Sequence, residues 1–331
     1  MIVSQYFLLE ITKQENSIKM TQPLISIIIP SKNGLHHLKD CLPSVKTAMQ
    51  NSPVLCELVI CSDHSTDGTL EFLKENYPDF KAIENPKDAF GACHARNNAV
   101  KASSGKYILF LDNDVCLEPD FFIKTVPLLK EDMFCYTCCG HSYSKPEKQL
   151  DGLKLLSFSR GTLRFTGNIY NEDLPQKNLI ECYGVQGAYF YCTREKFDLL
   201  GGISDLYSPY MLEESDFVYR GMKRGWPVYY IRNVKPLHKW GGTIASKTNP
   251  LTKFVSIKNR IILNMVNLTD NSLLLQSLIL YALRHPIAFF EAVKYLKPIL
   301  KLRRSEKPHI KVTDKELLKA SKETKKRFKS K

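Results

Sequence analysis

Several signatures are missing from this 331-residue chain. No G-x-x-x-x-G-K-[ST] occurs anywhere, and no G-x-G-x-x-G follows the first predicted strand. That argues against a P-loop nucleotide hydrolase and against a dinucleotide-binding oxidoreductase. No apolar run reaches the ~20 residues that a membrane-crossing helix needs. The nearest approach, residues 272–283, contains Gln276 and is followed by Arg284, His285 and Pro286, so it reads as a core or interfacial helix. The N-terminus lacks a basic n-region, and Phe7, Leu8 and Leu9 are too few for the apolar core of a leader. Met20 precedes the first strand closely and is a candidate start, which would make residues 1–19 an upstream extension.

Net charge is also nearly absent from the body. The formal balance is +13, but residues 294–331 hold 15 Lys plus Arg against 4 Asp plus Glu, or +11. The remainder carries +2, which speaks against a nucleic-acid-binding body and for an electrostatic tail. The tail's partner is expected to be an anionic membrane surface, the alternative being plain solvent. Ten Cys without a leader pattern fit a reducing compartment, so a cytoplasmic location is expected, peripheral to the inner face of the plasma membrane. Cys135, Cys138, Cys139 and His141 cluster locally, but no second ligand pair follows at zinc-finger spacing, and strand packing is the better reading.

What is present is strand–helix alternation. Residues 24–29 form an apolar, β-branched run, a buried first strand. Gly34 opens a helix with Leu35, Leu38, Leu42 and Val45 at helical spacing. A second strand over 55–61 ends in Ser62-Asp63-His64-Ser65-Thr66-Asp67-Gly68, whose polar residues cap a helix over 69–76. A third strand over 81–84, a helix over 91–104 with the small face Ala92, Ala95, Ala99 and Ala102, and a fourth strand over 107–111 follow. The pattern predicts an α/β, Rossmann-like, mostly parallel sheet with helices on both faces. Residues 140–180 read as a long polar loop and 180–192 as one strand interrupted by Gly184 and Gly187. A helix over 194–200, another over 213–223, and a strand over 228–231 complete this part. From residue 250 the chain turns helical, and its last helix opens with a Thr313-x-x-Glu316 capping box and is almost wholly polar.

The chemistry concentrates where the fourth strand ends. Asp112 and Asp114 bracket Asn113 at what reads as an exposed C-terminal strand edge, where open α/β sheets bind ligands. Two carboxylates so placed suit Mg²⁺ or Mn²⁺ completed by substrate phosphate. Taken in order, the motifs are Pro30-Ser31-Lys32-Asn33, Ser62-Asp63, Arg96-Asn97, Asp112-Asn113-Asp114, Glu213-Glu214-Ser215-Asp216 with Arg220, and His238. In that order the chain resembles the family 2 glycosyltransferases, inverting enzymes of the GT-A fold, over roughly residues 24–242.

The resemblance implies a nucleoside-diphosphate sugar donor, UDP- or dTDP-linked, a glycan or lipid-linked glycan acceptor, a Mn²⁺ or Mg²⁺ cofactor, and work in bacterial surface-polysaccharide synthesis. Pro30, Ser31, Asn33, Asp63, Arg96, Asp112 and Asn113 are its donor-binding set, with Asp63 facing the base and Arg96 the nucleotide or diphosphate. Asp112, Asp114 and His238 are the metal set; Gln186, Gly187 and Trp240 lie on the acceptor side. Glu214 is the catalytic base, supported by Glu213, Asp216 and Arg220. The implied organisation is an N-terminal extension (1–23), a GT-A domain (24–245, with a nucleotide half to 115 and an acceptor half from 116), a helical extension (246–300) and a basic tail (301–331). Lys32 and Ser62 depart from the family pattern, which has an aromatic residue and an acid there, so the base recognised stays open. Structural alternatives stand for several residues: Asp63 and Asp67 as helix caps, Arg96 as a surface arginine, Asp216–Arg220 as an i,i+4 pair, His238 as a packed loop histidine. A nucleotidyltransferase of similar fold and an inactive glycan-binding scaffold are the rival functions.

Overall fold

The computed structural model describes residues 24–239 and 249–329. Its strands are β1 (Ile25–Ser31), β2 (Cys56–Ser62), β3 (Lys81–Glu84), β4 (Tyr107–Leu111), β5 (Val115–Cys116), β6 (Cys135–Cys138), β7 (His141–Ser142), β8 (Leu153–Ser159), β9 (Thr162–Ile169), β10 (Leu179–Cys182), β11 (Tyr189–Thr193), β12 (Val228–Ile231) and β13 (Leu237–His238). Its α-helices are α1 (Leu35–Gln50), α2 (Thr69–Asn76), α3 (Ala92–Lys101), α4 (Phe121–Thr125), α5 (Arg194–Leu199), α6 (Glu213–Lys223), α7 (Pro250–Asn267), α8 (Asn271–Arg284), α9 (Pro286–Val293), α10 (Leu296–Glu306) and α11 (Asp314–Lys329).

Eight strands form one sheet in the order β10-β12-β6-β11-β4-β1-β2-β3. β3, β2, β1 and β4 run parallel, and β11 enters antiparallel between β4 and β6. Successive residues of a strand face opposite ways, so the apolar runs feed two cores. Ile25, Ile27 and Ile29 pack with Leu38, Leu42 and Val45 of α1 on one side. Ile28, Val59, Ile108 and Phe110 pack with Ala95 and Ala99 of α3 and with Phe217 of α6 on the other. The small face of α3 is therefore core-facing, as its alanines predict.

Three readings are corrected. Residues 140–180 are not a long loop: they hold β7 and the β8–β9 hairpin. The hairpin's Leu155, Leu156 and Leu163 are buried beneath the C-terminal helices, contacts that no local pattern announces. Residues 180–192 are two strands, with β10 at the sheet edge and β11 inside, separated by the Gly184–Gly187 crossing. The last helix is polar by composition yet folded onto the body. Thr313 and Glu316 form the predicted capping box, with Thr313 N donating to Glu316 Oε2 at 2.7 Å and Glu316 N to Thr313 Oγ1 at 3.2 Å. Asp314 is fully buried and accepts from Lys223 Nζ (2.6 Å), Tyr219 OH (2.7 Å) and the Thr269 and Asp270 amides (both 2.7 Å). Leu156 N donates to Ser321 Oγ at 2.8 Å, tying α11 to the hairpin.

Among the described residues, no helix is long and apolar enough to cross a membrane. The proposed start at Met20 and the 1–23 extension lie outside them.

Candidate active site

The loops after β1 and β2 are tied to one another. Asp63 N donates to Ser31 O at 2.7 Å. Asn33 sits in the left-handed region (φ 48°), which asparagine tolerates; its Oδ1 accepts from Thr66 N at 2.8 Å and its N donates to Ser65 Oγ at 3.0 Å. Asp67 caps more than its own helix: Oδ1 accepts from Thr69 Oγ1 (2.6 Å) and Oδ2 from Leu35 N (2.9 Å), the start of α1. Beneath this knot Asn113 Nδ2 donates to Ser31 Oγ at 2.9 Å, and both residues are buried. A Cβ at Gly34 would lie 2.0 Å from Asn113 Nδ2, so only glycine lets α1 start so close to the β4 loop. Ser31 and Asn113 thus join the ends of β1 and β4. Pro30 is half-buried at the end of β1.

Asp63 is buried and fully engaged. Its Oδ1 accepts from Asn85 Nδ2 and Gly91 N, both at 2.9 Å, and Oδ2 from Lys32 Nζ at 3.3 Å. The sequence reading did not find Asn85, which also accepts from Asn98 Nδ2 at 2.9 Å, nor Phe90. Phe90 is 53% exposed beside this loop, its ring 4.7 Å from His64. An aromatic residue next to a loop glycine, Phe90–Gly91, was the available signal.

Arg96 is not a surface arginine, nor does its guanidinium face outward. It is buried, with Nη2 donating to Asp112 Oδ1 (2.8 Å) and Gly187 O (3.1 Å) and Nη1 donating to Glu213 Oε1. Burial works against its charge, but Asp112 and Glu213 outweigh burial and leave its pKa raised. Burial raises the Asp112 and Glu213 carboxyls above their ordinary values, with Arg96 opposing it. Asp112 keeps 35% of its side chain exposed, so it is the face of this cluster open to a ligand.

Asp114 does not lie at an exposed edge. It is buried, because β5 and β13 fold over the end of β4 and bring His238 Nε2 to 3.2 Å from Asp114 Oδ1. Burial would raise the Asp114 pKa, and the His238 contact reverses that and lowers it. Burial would lower His238, and Asp114 raises it above the ordinary imidazole value. His238 belongs to a strand, pairing with Val115 and Ser142. The expected metal set is divided: Asp114 meets His238, while Asp112 turns to Arg96. Among the described residues no three His, Cys, Asp or Glu side chains group closely enough to hold an ion alone. Trp240 lies outside the described residues.

The Glu213–Glu214 pair is split by its own helix. Successive residues point ~100° apart. Glu213 is buried on Arg96 with its Oε2 unpartnered among the described residues. Glu214 is half-buried, accepts from Ser215 Oγ at 2.9 Å, and lies over Gly187, where a Cβ would come 3.4 Å from its Cδ. Gln186 is half-exposed beside Gly187, its N donating to Thr137 Oγ1 at 3.0 Å. Asp216 and Arg220 are not brought to this cleft. Arg220 Nε donates to Asp216 Oδ2 at 2.8 Å, Tyr207 OH and Asn267 Nδ2 donate to Asp216 Oδ1, and Arg220 reaches Glu306 at 3.4 Å. The i,i+4 reading describes this pair, and its role is to join α6 to α7 and α10. The sequence reading also missed Asn259. Its Nδ2 lies 2.9 Å from each of the Tyr207, Tyr210 and Met211 carbonyls, bracing the turn, left-handed at Met211 and Leu212, that delivers Glu213.

Comparison with known proteins places this architecture. The teichuronic acid biosynthesis glycosyltransferase TuaG of Bacillus subtilis, a name given there as putative, is 31% identical over 123 residues, 37% of this chain and 48% of that protein. The Escherichia coli glucosyltransferase WfgD, named for UDP-Glc and an α-D-GlcNAc-diphosphoundecaprenol acceptor, is 36% identical over 96 residues, 29% of this chain and 36% of that one. The matched stretches thus span less than half of either relative. The crystal structure of GalNAc-T7 with UDP, GalNAc and Mn²⁺ superposes on 87% of this chain and 55% of that one, with a TM-score of 0.62 at 15% identity, which shows a shared fold, the GT-A fold. The model of glycosyl transferase family 2 matches residues 26–199, more than half of the 331. This chain belongs to glycosyl transferase family 2.

Proposed function

We propose that this chain is an inverting, divalent-cation-dependent sugar transferase. It moves a sugar from a UDP- or dTDP-linked donor to a hydroxyl of a glycan or lipid-linked glycan in bacterial surface-polysaccharide synthesis. The observation that carries this reading is the split acid pair, with Glu213 locked on buried Arg96 and Glu214 left open over Gly187.

Donor binding falls to the 24–115 half, where the Asp63 network and Phe90 meet the base and the half-exposed Asp112 meets the ribose or diphosphate. Arg96 acts as a positioning residue, since its guanidinium is committed to Asp112, Glu213 and the Gly187 carbonyl. The acceptor enters the 116–245 half past Gln186 and Gly187. Glu214 takes the proton from its hydroxyl. That oxygen forms the new bond to the anomeric carbon from the face opposite the diphosphate, whose C–O bond breaks with the electron pair leaving on the nucleoside diphosphate. The Asp114 carboxylate and His238 imidazole, 3.2 Å apart, form an oxygen–nitrogen pair that fits Mn²⁺ and needs diphosphate and water to fill its shell. When bound, the cation offsets charge gathering on the departing diphosphate. The protein works in the cytoplasm, peripheral to the membrane.

Nucleoside-diphosphate release from a panel of sugar nucleotides, with and without Mn²⁺ and with Glu214→Gln beside the wild type, tests the reading. Diphosphate-dependent conversion of the sugar nucleotide to a nucleoside triphosphate and a sugar 1-phosphate would instead assign nucleotidyl transfer. Sugar binding with no donor turnover under any condition would leave only a scaffold.

A further inference from the structure

A second site lies away from the strand ends. A cavity of about 330 Å³ opens between the β8–β9 hairpin and helices α7 and α8. Arg160, Arg164, Arg260, Arg284 and His285 line it, with Tyr281 in its wall. Among the described residues, none of these four guanidinium groups has a carboxylate within 4.0 Å. The elements that build the cavity, Leu153–Ser159, Thr162–Ile169, Pro250–Asn267 and Asn271–Arg284, contain no Asp or Glu at all. Four like charges gathered without a counter-charge repel one another, and an anion relieves that repulsion.

The cavity is held by a rigid frame. Arg160 and Gly161 form the hairpin turn, both left-handed (φ 52° and 75°). Asn264 Nδ2 fixes that turn by donating to Gly161 O at 3.0 Å and also reaches Ser277 Oγ at 2.7 Å. Tyr281 OH and Thr162 Oγ1 are 2.9 Å apart. A Cβ at Gly161 would touch Leu280 and the Gln276 carbonyl, so the turn sits directly on α8.

The rim is apolar. Leu283 (76% exposed), Ile287 (78%) and Phe290 (68%) project from the end of α8 and from α9 beside Arg284 and His285. Leu275 and Ile279 continue the exposed apolar surface along α8. An arginine pocket edged by bulky apolar side chains on short apolar helices matches a bilayer interface: phosphate at the head-group level, acyl chains just below. A soluble anion would account for the arginines and leave the apolar rim without a role.

We propose that this α8–α9 face docks on a bilayer and that the arginine pocket takes the phosphate of an anionic phospholipid head group. The electrostatic contact expected of the C-terminal tail moves to this face, since α10 and α11 are folded onto the body. The site does not depend on the proposed transfer chemistry, because none of its residues belongs to the strand-end cleft.

Co-sedimentation of the full chain with phosphatidylcholine vesicles, with and without phosphatidylglycerol, tests this. The protein should partition onto the anionic vesicles and much less onto the neutral ones. At ~1 kcal/mol per basic residue near an anionic surface, Arg260→Gln with Arg284→Gln should lower that partition about thirtyfold. Arg160→Gln with Arg164→Gln, on the exposed hairpin, should do the same if the first pair disturbs folding, which thermal melting reports. Ile287→Gln with Phe290→Gln should also weaken it. Equal binding to both vesicle types, or unchanged binding by both arginine double variants, overturns the proposal. So does full displacement by millimolar inorganic diphosphate with Ile287→Gln/Phe290→Gln still binding as wild type, which assigns a soluble phosphate site. Loss of binding in all three double variants, with melting unchanged, sustains it.

Discussion

Arg96 and Glu213 form a buried ion pair while adjacent Glu214 stays half-buried, so the two acids sit in different surroundings. The proposed reaction needs an acid that meets solvent and can take a proton, and Glu213 is already occupied by a guanidinium. Glu214→Gln is expected to lower transfer by about 10²–10⁴-fold while donor affinity holds, because the amide keeps the shape and cannot accept the proton. Glu213→Gln removes one of the two carboxylates on Arg96 and leaves Asp112 as its counter-charge. A lost charge-assisted hydrogen bond costs about 1.5–3 kcal/mol, so this variant should melt below wild type. Transfer rate, donor affinity and melting temperature measured on both variants check the assignment; a normally active Glu214→Gln overturns it.

The Asp114–His238 contact supports a prediction about metal. Asp114→Asn keeps the side-chain shape and its hydrogen bond to His238 while removing the charge that an ion requires. Mn²⁺ binding in the presence of UDP, followed by electron paramagnetic resonance, should weaken together with Mn²⁺-stimulated turnover. Unaltered Mn²⁺ binding would show that the ion is held elsewhere.

Phe90 is an exposed aromatic beside the Asp63 network. Base–aromatic stacking is worth about 1–3 kcal/mol, so Phe90→Ala should raise the donor KM roughly 5- to 150-fold with little effect on kcat. An unchanged KM would leave base recognition to the Asp63 loop alone.

Residues 24–115 were legible because each of their elements is specified locally. Apolar runs of strand length end in acids, and α1 and α3 present helical periods. The predicted bounds of Thr69–Asn76, Lys81–Glu84 and Tyr107–Leu111 coincide with those observed. Residues 116–245 were less so because their cues are tertiary. β8 is covered by α11, which arrives 165 residues after Leu156 and accepts its amide through Ser321. The burial of Asp114 under β13, and of Arg96 between Asp112 and Glu213, depends on chain crossings that spacing does not encode. Asn259 carried no motif; its meaning is three carbonyls on another segment.

Those three carbonyls make Asn259 a test of how the C-terminal helices serve the cleft. Asn259→Ala leaves the Tyr207, Tyr210 and Met211 carbonyls short of a buried donor, at about 1–3 kcal/mol for an unsatisfied group. The turn before Glu213 would then relax, and kcat should fall more than donor affinity, since the residues proposed to bind the donor lie on other loops. Equal loss of kcat and donor affinity would point to general unfolding. Melting that is lowered with kcat unchanged would limit Asn259 to stability.

Asp314 gives the fold a dependence on acid. Burial works to raise its pKa, but Lys223, Tyr219 and the Asp270 amide outweigh burial and hold the carboxyl below its ordinary value near 3.8. A carboxylate whose folded pKa is depressed adds stability that is fully present above its unfolded pKa. That stability is lost as pH falls through the folded value. Asp314→Asn removes it at every pH and leaves buried Lys223 without its counter-charge, a loss of about 3–5 kcal/mol at neutrality. The difference in melting temperature between wild type and Asp314→Asn should therefore be large and flat from pH 7 down to about 5 and shrink as the pH drops below about 4. Melting curves for both proteins across that range decide it. A difference that stays constant into acid would mean that Asp314 acts through hydrogen-bond geometry and not through its charge.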